Sequence, residues 1–291
     1  MSRSFLLAGL ASVALFSTAV PAQTTVELIE AGSTPHQPLR YRFEAGHSER
    51  AALDMNMRIS LSLGGQQVTL GDVPPIRMVL QMGTAEVAAD GSARVRFELL
   101  SAEAEASHPQ AAQINQALAG TKGLSGSYRV DARGQVSDSQ VDVPQDGQLP
   151  PGGEAVFEDL ERSMQQLAAP FPVEAVGPGA RWRVQQNVNN ADMRMSQTAE
   201  YTLRTRQGNR IELDVKMVDA SLEALGALPP GAKVDAVKIT GGGQSAIPLD
   251  GLVPTAHVDA VFDLRLSMQA EGQSQSLDMN MQMRQAVSPL D

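Results

Sequence analysis

The chain contains no cysteine, which excludes disulfides, thiolate metal sites, a cysteine nucleophile and a lipid-bearing N-terminal cysteine. Aromatic residues are scarce, with one Trp, three Tyr and seven Phe in 291 residues. A core built from such a sequence is expected to be filled by aliphatic side chains and by the 13 methionines. The histidines His36, His47, His108 and His257 are scattered, without the spacing of a zinc site. No Gly-x-Ser-x-Gly turn occurs, and Gly241-Gly242-Gly243 lacks the Lys and Ser/Thr of a phosphate loop. The expectation is a protein with no catalytic residues, no metal and no cofactor.

Basic residues are outnumbered, 23 Lys+Arg against 33 Asp+Glu. One long apolar run exists, from Phe5 to Val20, preceded by Arg3 and followed by Val20-Pro21-Ala22. Its length and flanks predict a signal peptide over residues 1–22, cut before Gln23, and a periplasmic or secreted product. The remainder then holds 22 basic and 33 acidic residues, a net charge of −11. That charge disfavours nucleic acid as a partner, and no second run of such length predicts a transmembrane segment.

What is abundant is alternation. In Leu277-Asp278-Met279-Asn280-Met281-Gln282-Met283-Arg284 the methionines fall on one face of an extended chain and the polar residues on the other. Asp54-Met55-Asn56-Met57-Arg58 and Asp192-Met193-Arg194-Met195-Ser196 repeat the device. The same period predicts strands at Leu39–Ala45, from Met55 to Leu63, from Ile76 to Met82, from Val95 to Leu99, from Ile211 to Met217 and from Val258 to Met268. Gly64-Gly65, Asp90-Gly91, Ala132-Arg133-Gly134 and Gly208-Asn209 mark turns. Helices are expected from Gln110 to Leu118, entered through Ser107-His108-Pro109, and from Glu154 to Ala168, where Phe157, Leu160, Met164 and Leu167 share a face.

The order of elements in the second half follows that of the first. Trp182-Arg183-Val184 answers Tyr41-Arg42-Phe43, and Gly134–Asp142 aligns with Gly251–Asp259 without a gap. Residues 23–291 are therefore read as a single β-rich domain. It would hold diverged repeats over about 38–145 and 180–265, a helix-containing connection over 146–179 and a closing strand over 277–284.

The fold class is mainly β (α+β). Ten to twelve one-sided strands joined by short turns predict a strongly curved antiparallel sheet or incomplete barrel, with two or three helices on its concave side. In order of elements, export signal and apolar inner face, the chain resembles periplasmic lipoprotein carriers of the LolA and LppX type. The tract Pro170-Phe171-Pro172 through Val176-Gly177-Pro178-Gly179-Ala180-Arg181-Trp182 is similar to one in a family of uncharacterised exported bacterial β-rich proteins. The carrier resemblance implies an acyl-binding groove.

Methionine is flexible and polarizable, so a Met-lined surface re-packs around apolar ligands of varied shape. Met55, Met57, Met193, Met195, Met279, Met281 and Met283, with Trp182, are thus the candidate ligand-facing residues. The ligand would be a lipid, an acylated polypeptide or another apolar molecule. Two alternatives stand beside it: a non-catalytic envelope module whose sheet edges pair with a partner protein, and Cu(I) held by Met-x-Met thioethers. Simple core packing is the competing explanation of the methionines.

Overall fold

The computed structural model describes residues 23–69, 73–142, 168–189, 193–224, 232–270 and 273–291. The expected signal peptide and, apart from Ala168, the expected helix from Glu154 lie outside these residues.

Fifteen strands form: β1 (Gln23–Glu30), β2 (Gln37–Pro38), β3 (Ser48–Leu63), β4 (Gln66–Thr69), β5 (Ile76–Val87), β6 (Ala93–Ala104), β7 (Ser125–Val130), β8 (Val136–Asp142), β9 (Ala175–Val176), β10 (Arg181–Asn189), β11 (Met193–Gln207), β12 (Arg210–Ala224), β13 (Ala232–Pro248), β14 (Thr255–Ala270) and β15 (Gln273–Leu290). Thirteen of them make one sheet in the order β1-β10-β11-β12-β13-β14-β15-β3-β5-β6-β7-β8, with β4 on β3; β2 and β9 pair separately. All its pairings are antiparallel and the sheet is not closed, since β1 and β8 are its two edges. Among the described residues one α-helix occurs, α1 (Ala111–Leu118), rather than two or three. Its entry also differs from expectation: Gln110 is the N-cap, and Ser107 hydrogen-bonds Glu105 instead of capping.

The turns follow the glycine chemistry. Gly64, Gly65, Gly91, Gly134 and Gly208 all take positive φ, where a side chain would be strained. Asp90 completes the β5–β6 turn by accepting the Ser92 N–H at 2.9 Å.

Paired residues share a face, so one continuous apolar face can be followed across the sheet. It runs from Leu28 and Trp182 through Tyr201, Val215, Val258 and Gln285 to Met55 and Ile76. At one end of the long strands this face is fully buried in two clusters. Leu53, Leu80, Met82, Val95, Phe97 and Tyr128 make the first; Trp182, Val184, Leu203, Ile211, Leu213 and Ile247 make the second. Each buried aliphatic of this size contributes about 1.5–3 kcal/mol.

Phe43 and Ala168 pack against both clusters, so the sheet curls until its two sides meet around them. A cavity of about 20 Å³, lined by Val95 and Tyr128 from one side and Ile247 and Leu252 from the other, marks the junction. Glu49 fastens it: its carboxylate accepts the Leu252 N–H at 3.2 Å and the Val253 N–H at 2.9 Å, and also meets His47 Nε2 at 2.5 Å.

Leu39–Ala45 is not a strand. Its backbone crosses between the two sides, the Tyr41 N–H donating to Ala132 at 2.8 Å and the Arg42 N–H to Leu249 at 2.7 Å. Leu39, Tyr41 and Phe43 still point inward, which is why their alternation resembled a strand. With this segment in coil, the match to the Trp182 strand fails at its first element. The strand order, in which β15 joins β3–β8 to β10–β14, does not display two repeats either.

Candidate functional site

β15 places Met279, Met281 and Met283 in a row, and its neighbours extend that row sideways. On one flank these residues oppose Leu61, Ile59 and Met57 of β3; on the other they oppose Leu264, Phe262 and Ala260 of β14. One strand further, Val237 and Ile239 of β13 oppose Leu264 and Phe262. Four strands in register therefore present a patch made only of Met, Leu, Ile, Phe, Val and Ala. Met55 borders it, opposite Gln285.

The patch is the continuation of the buried face, because Leu53 precedes Met55 and Met57 at the same phase on β3, and Val287 follows Met283 on β15. Its exposure is different. Leu53 is buried, whereas Met55, Met57, Ile59, Leu61, Val237, Ile239, Phe262, Leu264, Met279, Met281 and Met283 are all half-buried. Monomeric proteins seldom leave a contiguous apolar area of this extent in water without a use for it.

The opposite face of the same strands is polar and internally paired. Asn280 donates to Asp263 at 2.6 Å, Arg265 to Asp278 at 2.5 Å and Arg284 to Asp259 at 2.8 Å. The Arg265 guanidinium is held further toward its charged form by this Asp278 contact. These exposed pairs set register and give the strands one wet face; each adds little to stability.

Other candidate residues lie elsewhere. Met193 and Met195 are on β11, opposite Ala224 and Leu222 of β12, and do not join the patch. Trp182 is in the core. It is fully buried, its Nε1 donates to Pro170 at 2.9 Å, and it stacks on Tyr201 with centroids 5.7 Å apart. Phe171 meets it edge-on at 6.4 Å and stacks on Tyr41 at 4.9 Å, which in turn stacks on Phe43 at 5.5 Å. Five of the eight aromatics among the described residues thus form one chain of contacts.

The tract from Pro170 to Trp182 builds this core. The Phe171 N–H donates to Arg133, Arg40 donates to Pro172 and Val173, and a Cβ on Gly177 would collide with the Ser33 backbone.

Among the described residues no group of three or more His, Asp and Glu is arranged to hold a metal. His47, the histidine nearest a Met-x-Met pair in sequence, has its Nε2 engaged by Glu49. No described helix is long and apolar enough to cross a membrane. No protein-family model matches the sequence, and a search of curated proteins finds no significant relative.

The three tyrosines give a pH dependence. Burial pushes the Tyr201 hydroxyl up to about 12, and burial likewise raises Tyr41 and Tyr128 above the ordinary value, the Ala169 N–H on Tyr41 opposing part of the rise. In the unfolded chain the same groups ionise near 10. The unfolded state therefore loses protons first as pH rises, so stability is full below about pH 10 and is lost as pH climbs toward about 12. A pH titration should show phenolate absorbance rising together with loss of the β-sheet circular dichroism. Phenolate signal at pH 10 with the sheet intact would contradict the assignment.

Proposed function

We propose that the protein is a non-catalytic carrier that holds an elongated apolar ligand, such as the acyl chain of a lipid or of an acylated polypeptide, against the patch centred on Met281. The observation that carries this reading is the change in exposure along a single face. On β3 the face is sealed at Ala51 and Leu53 and half-open from Met55 to Leu61. A core has no reason to stop in mid-strand while its residues remain apolar; a binding surface does. Methionine at Met57, Met279, Met281 and Met283 suits ligands of differing length and unsaturation, because its side chain adapts at low cost.

The leader-like segment over residues 1–22 supports a periplasmic or secreted location, and the open curled sheet accords with the resemblance to lipoprotein carriers of the LolA and LppX type. The absence from the sequence of a hydrolase turn or nucleophilic thiol supports a binding role over an enzymatic one.

Protein purified without detergent should carry a copurified lipid in native mass spectrometry, and after delipidation should bind a fluorescent fatty acid with saturation at one site. A clean unliganded mass together with no fluorescent binding would overturn the proposal.

A further inference from the structure

The long strands β12 and β13 run side by side for only part of their length. Their pairing proceeds from Arg210↔Pro248 to Lys216↔Gly242 and there stops. Both strands continue: β12 goes on to Ala224 paired with β11 alone, and β13 begins back at Ala232 paired with β14 alone. Among the described residues, two strand edges therefore face each other inside the sheet without a ladder between them. A slot of about 250 Å³ separates them, lined by Lys216, Met217, Val218 and Asp219 on one margin and by Lys238, Ile239 and Thr240 on the other.

The parting is encoded on both strands at the same level. In β12 the register against β11 shifts between Met217 and Asp219, leaving Val218 as the extra residue of a bulge, and a bulge bends and twists its strand. In β13 the next residue past the last pair is Gly241, at φ 137, a conformation that side-chain-bearing residues rarely adopt. A Cβ on Gly241 would stand 2.1 Å from the Asp259 carbonyl oxygen, and one on Gly242 would stand 2.3 Å from that of Val215. Only glycine permits the sheet to stay joined up to this point and divide beyond it.

A strand edge presents a row of backbone N–H and C=O groups, and an acyl chain offers them nothing. Another polypeptide backbone satisfies them in full. The side chains along the slot specify what that polypeptide would look like. Met217, Ala220, Val237 and Ile239 share the phase of the apolar face, through the pairs Ala199↔Met217, Gln197↔Ala220, Val237↔Leu264 and Ile239↔Phe262. Lys216 and Lys238 project on the opposite, polar face, and neither makes an ion pair among the described residues, in a chain whose net charge is −10. The outer edge at β8 is a poorer template, since Asp138 at φ 50 interrupts it.

We propose that the β12–β13 slot is an acceptor site for an extended segment of a partner polypeptide, in which apolar residues alternate with acidic ones. The segment adds as a strand by backbone hydrogen bonds, sets its apolar side chains beside Met217 and Ile239, and directs its acidic ones to Lys216 and Lys238. This proposal differs from the apolar carrier reading in ligand chemistry, a backbone that pairs with strand edges instead of an acyl chain, although Val237 and Ile239 border both the patch and the slot.

The test uses the full mature protein and a short synthetic peptide that alternates valine and glutamate. Hydrogen exchange should slow at the amides of Met217–Leu222 and Val234–Thr240 when the peptide is added, and should not change in Ala256–Met268 of β14 or Leu277–Val287 of β15, which are paired on both sides. The double variant Lys216→Glu with Lys238→Glu should bind about tenfold more weakly at low salt, with its melting temperature unchanged because both lysines are exposed. A peptide methylated on its backbone nitrogens should not bind. Absence of binding, equal binding by the methylated peptide, or protection confined to β1 or β8 would each overturn the proposal, while the carrier reading is judged separately by fatty-acid binding to the protein without peptide.

Discussion

Trp182→Ala lowers the stability of the protein by about 3–5 kcal/mol, the cost of truncating a fully buried aromatic. The ring is 0% exposed, lies between Tyr201 and Phe171, and donates a hydrogen bond to the Pro170 carbonyl. Its removal opens a cavity between β10, β11 and the coil that carries Phe171, and leaves that carbonyl without its donor. Trp182→Phe keeps most of the volume and loses the hydrogen bond, so it should cost about 1–2 kcal/mol. Urea unfolding followed by circular dichroism measures both.

The same substitution separates core from binding site. Trp182 is the one tryptophan in the chain, and its emission should be blue-shifted and unchanged on addition of a fatty acid, since the patch around Met281 lies beyond the buried clusters. A Trp182→Phe variant should bind the fluorescent fatty acid as the parent does. Loss of binding in a folded Trp182→Phe protein would mean that the ligand enters the second cluster, contrary to the site assigned above.

Period-2 alternation made the long strands legible, because a half-buried sheet imposes it directly on the sequence. β3, β5, β6 and β15 were readable for that reason, as were the turns at Gly64-Gly65, Asp90-Gly91 and Gly208. Alternation also misled, at Leu39–Ala45, where inward-facing side chains recur every second residue although the backbone bonds go to two separate loops. β1 was concealed by Thr24 and Thr25, polar residues on a strand whose partner β10 lies far away in the chain. β13 was concealed by the bulge at Asp235 and by its three glycines, which carry no side-chain alternation and let the neighbouring backbones approach closely.

The site was legible in part for a related reason. Each methionine announces a face, but not which faces adjoin. That Met279, Met281 and Met283 meet Met57 and Phe262, while Met193 and Met195 do not, follows from β15 inserting between β3 and β14. That is a pairing between segments more than two hundred residues apart in part, and local pattern carries no information about it. Trp182 fell on the correct face, yet at the sealed end of it, and position along a strand is not written in its phase.

Met281→Asp should lower the affinity for a fluorescent fatty acid by at least about thirtyfold while changing stability by less than about 1 kcal/mol. The two magnitudes together are the point. A carboxylate at the centre of the patch would be stripped of water by a bound acyl chain without any partner, because Ile59 and Phe262 oppose it on either side. In the unliganded protein the same carboxylate stays hydrated, since Met281 is only half-buried. Met281→Leu keeps volume and polarity and should leave binding within about threefold of the parent. Gln282→Glu, one residue along and on the polar face, should leave it unchanged, which controls for the added negative charge. If Met281→Asp instead destabilises the protein as strongly as Leu53→Asp, the methionine row is sealed in the folded protein and packs as core. If it is stable and binds as the parent does, the ligand does not touch this patch. Only loss of affinity in a stable protein is consistent with a face that the sheet holds open for an apolar guest.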